Sequence, residues 1–101
     1  MAERSIGFGI IGLGRIGAFH AESLRSRVAG AHLVAAAVDP EHRARLLADE
    51  SAPCDLEESA EALLAREDVE AVVVASPAVV HDEHITLAAR AGKPIFSEKP
   101  L

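Results

Sequence analysis

Gly12-Leu13-Gly14-Arg15-Ile16-Gly17 has the G-x-G-x-x-G spacing that lets a backbone wrap a pyrophosphate. Gly12 permits a tight turn, Gly14 lacks the Cβ that would hold the chain off the phosphates, and Gly17 lets a following helix lie close to the preceding strand. A helix opening there aims free N–H groups and its positive dipole end at the anion, with the amides near Arg15 and Ile16 as donors. An acid, Asp39, follows about 20 residues on, at the end of the next apolar run. A carboxylate there accepts hydrogen bonds from the adenosine 2′- and 3′-hydroxyls and repels a 2′-phosphate, which favours NAD over NADP. Arg43 and Arg45 lie close by and leave some room for NADP. Asp39 also precedes Pro40 and so reads as a helix N-cap, a role compatible with the first.

The other side chain suited to chemistry is Lys99, between Glu98 and Pro100. A lysine after a strand is ordinarily a solvated surface residue. Hydride transfer from a secondary alcohol, however, needs a proton acceptor within hydrogen-bond reach of the hydroxyl. Lysine fills that need when desolvation or nearby positive charge lowers its pKa. His81 reads equally as a packing residue and as a cofactor contact. His20 packs or caps near the first helical turn, and His32, His42 and His84 carry no signal. No metal is expected, because the histidines lack H-E-x-x-H or similar spacing.

These residues have to be held by alternating elements. Ser5–Ile11 is an uncharged, β-rich run of the kind buried on both faces of a sheet. Apolar positions from Arg15 to about Val28 recur at helical spacing, and Gly30 is the stop. His32–Val38 is a second strand, and Asp39-Pro40 opens a helix to about Asp49. A very short strand is placed at Ser51–Cys54. Asp55 with Glu58 resembles a capping box opening a helix to about Arg66. Glu70–Ala75 is a buried-type strand, His81–Ala91 a helix closed by Gly92, and Pro94–Ser97 a last strand. Strand and helix alternating in this way predict an α/β fold, a doubly wound parallel sheet of Rossmann type, with strand order 3-2-1-4-5. The ligand crevice is then at the carboxyl ends of strands one and four.

Composition narrows the function classes. With 16 acidic and 10 basic side chains the 101-residue chain carries a formal charge of −6, and it has no basic run to track a phosphate backbone, so no nucleic-acid partner is expected. Its three aromatic residues are all Phe, which argues against an aromatic RNA-binding sheet. The scattered acids read as solvated helix faces. A single cysteine, Cys54, excludes an intrachain disulfide and points to a reducing compartment. The N-terminus lacks a signal-peptide core, and no apolar run approaches the ~20 residues of a membrane span, so a cytoplasmic protein without membrane contact is expected.

Three stretches together resemble the Gfo/Idh/MocA oxidoreductases, and among them the inositol dehydrogenase-like proteins: Gly9 through His20, Ser76-Pro77-Ala78-Val79-Val80-His81, and Glu98-Lys99-Pro100. The resemblance covers essentially the whole chain. It implies that Ser76 and Pro77 run along the nicotinamide half of NAD, with His81 closing that loop. It implies that Lys99 stands between nicotinamide and substrate, binding the reacting hydroxyl and helping to move its proton, with Glu98 near the nicotinamide ribose and Pro100 fixing the turn. Family members often carry Asn after the loop proline, where this chain has Ala78, so one side-chain hydrogen bond beside the cofactor is in question.

The resemblance further implies a second α/β domain that binds a polyol or sugar substrate, which these 101 residues lack. The chain is therefore expected to be a truncated, nucleotide-binding part of an NAD-dependent dehydrogenase that binds NAD without turnover by itself. The alternatives are a non-catalytic NAD(P)-responsive regulatory or interaction module, a structural remnant without ligand, and an unrelated reductase on the same fold. Uncovered Ile95 and Phe96 on an edge strand point to a homo-oligomer.

Overall fold

The computed structural model describes residues 5–13, 30–50, 52 and 54–97. The expected helix from Arg15 to about Val28, with His20, lies outside the described residues, as do Gly14, Arg15, Ile16, Gly17, Glu98, Lys99 and Pro100. Five strands form one sheet in the order β3-β2-β1-β4-β5, and every neighbouring pair is parallel. The strands are β1 (Ile6–Ile11), β2 (Ala31–Ala37), β3 (Asp55–Glu57), β4 (Ala71–Val74) and β5 (Ile95–Ser97). The described helices are α1 (Pro40–Ala48), α2 (Ala60–Leu64) and α3 (Ala78–Arg90). The strand order is the one the sequence predicts.

Both faces of the sheet are apolar because successive residues point to opposite sides. On one face Ile11, Ala35, Ala37, Val72 and Val74 pack with Ala60, Leu63 and Leu64 of α2 and Ala88 of α3. On the other, Ile10, Ala36, Val38 and Val73 meet Leu46 of α1 and Leu56 of β3. Helices on both faces make the sheet doubly wound. Between β1 and β2 the register steps from Phe8↔Leu33 to Gly9↔Ala35, leaving Val34 as the extra residue. Such a bulge sends two successive side chains to one side. Val34 and Ala35 accordingly both belong to the α2–α3 layer, while Leu33 and Ala36 face the other.

The third strand corrects the sequence reading twice. It is Asp55–Glu57, after the expected Ser51–Cys54, of which Ser51 and Pro53 lie outside the described residues, and Asp55 is not a helix cap. Ser59 caps α2 instead, its Oγ accepting from Ala62 N at 3.0 Å. The cause is tertiary. Leu56 packs on the α1 face, opposite Ala36 in register. Asp55 and Glu57 turn together to the other side, where the Arg66 guanidinium binds Asp55 at 3.3 Å and Glu57 at 2.9 Å. Arg66 also holds Asp68 through two 2.9 Å bonds, which keep that carboxyl below its ordinary range. These acids are thus not merely solvated surface. A smaller correction is that α3 starts at Ala78, three residues before the expected His81. Ile95 is partly buried against the α2–α3 layer, whereas Phe96 is exposed and its ring lies 5.6 Å from that of Phe8.

The amino end of β1 is pinned to the approach to β4. Gly7 N donates to Glu70 Oε2 at 2.9 Å, and Glu70 N donates to Gly7 O at 2.8 Å. A Cβ on Gly7 would lie 2.2 Å from Asp68 O, a backbone atom that cannot swing aside. Gly7→Ala is expected to cost about 1–3 kcal/mol as an overpacking change. Urea unfolding measures this directly, with the midpoint moving to lower denaturant.

Candidate functional site

The expected crevice lies where β1, β2 and β4 end. Gly12 N donates to Ala37 O at 2.8 Å, and Ala75 N donates to Ile11 O at 2.9 Å, so the three strand exits are knit together by backbone bonds. Gly12 has a φ of +96°, a conformation that side chains with a Cβ rarely adopt. A Cβ there would also meet Ala75 O at 2.9 Å and Ser76 Cα at 3.0 Å. Gly12 is therefore fixed both by the turn and by the backbone leaving β4.

Asp39 stands at the exit of β2. Its Oδ1 accepts from His42 N at 2.9 Å, so it is the N-cap of α1, and the residue stays exposed to solvent. Arg43, one turn on, spends its Nε on Leu56 O at 3.3 Å, which draws it towards β3. Ser76 and Pro77 follow β4. Ser76 is buried and Pro77 is exposed at the N-cap position of α3, where no side chain caps the helix. His81, in the opening turns of α3, is buried at 6% exposure, and its Nε2 is fully enclosed without a hydrogen-bond partner. An unpaired buried nitrogen costs roughly 1–3 kcal/mol and asks for an explanation.

The structure adds one residue that sequence reasoning passed over. His84 Nδ1 lies 2.7 Å from Ser76 Oγ, joining α3 to the exit of β4. The available signal was the spacing: His81 and His84 are three apart on a helix and so share a face. Burial pushes the His84 imidazole below its ordinary pKa. Glu83 and Glu61 oppose that shift, and His81 adds to it. Thus Gly12, Ser76 and His84 gather around the exit of β4, with His81 buried one turn before His84 on α3 and Asp39 at the neighbouring exit of β2. Among the described residues no group of His, Cys, Asp and Glu is arranged to hold a metal ion, and no helix is long and apolar enough to cross a membrane.

A family model described as the oxidoreductase family, NAD-binding Rossmann fold, matches residues 6–101. The chain is 41% identical over 100 residues to the inositol 2-dehydrogenase of Acidothermus cellulolyticus, an alignment that takes in 98% of this chain and 29% of the relative. It is 39% identical over 98 residues to the 2,7-anhydro-N-acetylneuraminate hydratase of Mediterraneibacter gnavus, covering 97% of this chain and 25% of that protein. The solved scyllo-inositol dehydrogenase of Lactobacillus casei, with bound cofactor NAD(H) and scyllo-inositol, matches with a TM-score of 0.81 at 32% identity, over 95% of this chain and 28% of that one. The chain thus spans less than a third of the length of these relatives.

Two outcomes follow from the geometry. Gly12→Ala forces a side chain into the left-handed region and against the β4 exit, and is expected to lose about 1–3 kcal/mol of stability, measured by denaturant unfolding. For His84, the folded-state pKa lies below the ordinary 6.5, so the folded chain takes up a proton less readily than the unfolded chain. That contribution to stability is complete above pH 6.5 and is lost as pH falls through the folded-state value. Thermal melts between pH 7.5 and 4.5 should show a steeper acid-side decline in the wild type than in His84→Gln.

Proposed function

Because the chain belongs to the Gfo/Idh/MocA oxidoreductase family and carries its NAD-binding Rossmann fold, we propose that it is the nucleotide-binding part of a dehydrogenase acting on a polyol or sugar CH–OH group. The observation that carries this reading is the Gly12 turn: a positive φ and a backbone wall too close for any Cβ, at the junction of the β1 and β4 exits. That cradle and an exposed carboxylate at the next strand exit fit a dinucleotide laid across the strand ends.

When bound, NAD supplies the hydride acceptor at its nicotinamide. The chain's own residues supply placement and proton handling. Gly12 and Gly14 let the backbone approach the pyrophosphate, Gly17 lets the following helix sit close, and the amides of Arg15 and Ile16 donate to the phosphates. Asp39 holds the adenosine ribose and disfavours a 2′-phosphate. Ser76, Pro77 and His81 border the nicotinamide half, and Glu98 lies beside its ribose. Lys99 binds the reacting hydroxyl and takes its proton as the C–H bond breaks. The similarity of whole-chain matches to inositol 2-dehydrogenases supports the polyol class of substrate. One observation favours a different net outcome on the same site, since a relative 39% identical is named a hydratase. Accumulation of NADH with a polyol, followed in the protein carrying its substrate-binding portion, separates dehydrogenation from hydration.

Calorimetric titration with NADH and with NADPH tests the nucleotide assignment. NADH is expected to bind more tightly. Asp39→Ala should weaken NADH about tenfold or more, the worth of a hydrogen bond to a charged group. Asp39→Asn keeps an acceptor for the helix cap but removes the charge, so it should narrow the gap between NADH and NADPH without a comparable loss of stability. A folded sample that binds neither nucleotide would sink the reading.

A further inference from the structure

We propose that His84 is a positioning residue for Ser76, and that its protonation state decides whether the serine hydroxyl offers a lone pair or a proton to the nucleotide crevice. This inference rests on the nucleotide reading above and adds to it a residue outside the three stretches that carry the family resemblance.

The Ser76 backbone is itself a wall of that crevice, since its Cα lies 3.0 Å from where a Cβ on Gly12 would stand. Its side chain is buried, and its Oγ is 2.7 Å from His84 Nδ1. A serine hydroxyl has one proton and two lone pairs to place. With a neutral His84 protonated on Nε2, Nδ1 accepts the serine proton, and Ser76 can only accept from a ligand. With a cationic His84, Nδ1–H must donate, so Ser76 Oγ accepts from the imidazole and its own proton turns elsewhere. The same pair of atoms is bonded in both states, but the polarity of the bond reverses.

The groups facing His84 are Glu83 and His81 on α3, Glu61 on α2 and Ser76 at the exit of β4. Strands β4 and β5 carry no titratable side chain. Burial favours the neutral imidazole, and it outweighs the two glutamates. Near neutral pH, with the neutral ring carrying its proton on Nε2, Ser76 presents lone pairs, suited to a donor such as a ribose hydroxyl or the carboxamide NH2 of nicotinamide.

The sign of the pH dependence separates this device from simple charge attraction. A cationic His84 acting through its field would strengthen binding of an anionic dinucleotide as pH falls. Reversal at Ser76 weakens it, on the order of threefold to tenfold, the worth of one hydrogen bond. The experiment is NADH titration of the 101-residue chain at several pH values across the His84 transition, with the His84 ring followed by NMR. We expect weaker NADH binding at the acid end and a His84 midpoint that moves to lower pH when NADH is added, as linkage requires. Ser76→Thr, which keeps the hydroxyl, should keep this dependence, and Ser76→Ala and His84→Gln should abolish it. NADH binding that is flat with pH or strengthens towards acid, or a dependence surviving in Ser76→Ala, overturns the role of His84 and leaves the nucleotide reading standing. No NADH binding by the folded chain at any pH overturns both.

Discussion

Where β1 and β4 end, the backbone of Gly12 presses against Ala75 and Ser76, and the rest of the site is arranged around that contact. A parallel sheet has its loops leaving the same edge, so two neighbouring strands whose helices cross on opposite faces open a crevice between their exits. The crevice is useful only if one wall is bare backbone. Gly12 provides that wall through a conformation and a clearance that no other residue tolerates. Ala37 O and Ile11 O lock it on both sides by accepting from Gly12 N and Ala75 N. Once the wall is fixed, Asp39 and Ser76 stand at set places on either side, because each follows its strand by only two residues.

Much of this was legible in the sequence, for local reasons. A glycine triplet after an uncharged run and an Asp-Pro pair after the next one are short-range signals, and the structure gives Gly12 its positive φ and Asp39 its cap. Strand order followed from the alternation of elements and from the rule on crossovers. What failed was non-local. Asp55 and Glu58 fit a capping box as written, but Asp55 belongs to a strand whose register with Ala35 and whose bond to Arg66 are set by residues far along the chain. His84 was passed over because its spacing from His81 does not point to its partner, a serine eight residues earlier and on the other side of a helix cap. Of the residues to which the family resemblance gives roles, Lys99 and Glu98 lie outside the described residues.

The two ends of the sheet handle polar groups differently. Near the amino ends of β1 and β4, Gly7 and Glu70 exchange hydrogen bonds, and Lys93 Nζ donates to the carbonyls of Arg66 and Val69. Beside them Arg66 gathers Asp55, Glu57 and Asp68. Charges there are paired, and they join the β3 edge to the turn between α2 and β4. At the carboxyl ends the charge on Asp39 faces solvent while capping α1, α3 follows Pro77 without a side-chain cap, and one turn into α3 His81 keeps an enclosed, unpaired nitrogen.

That asymmetry is costly in a domain this small. A chain of about 100 residues commonly keeps only ~5–15 kcal/mol of net stability, so one unsatisfied imidazole nitrogen at roughly 1–3 kcal/mol is a sizeable fraction of it. An apolar residue of similar volume at position 81 would remove the penalty. Selection for stability alone would therefore not retain a histidine there. Sequences that fold well break local rules chiefly where function requires it. His81 breaks one on α3, one turn before His84, the residue that holds Ser76. The unpaired nitrogen thus lies on the helix that follows β4, whose exit also carries the Gly12 contact and the Ser76–His84 bond, whereas the charges at the amino ends are paired.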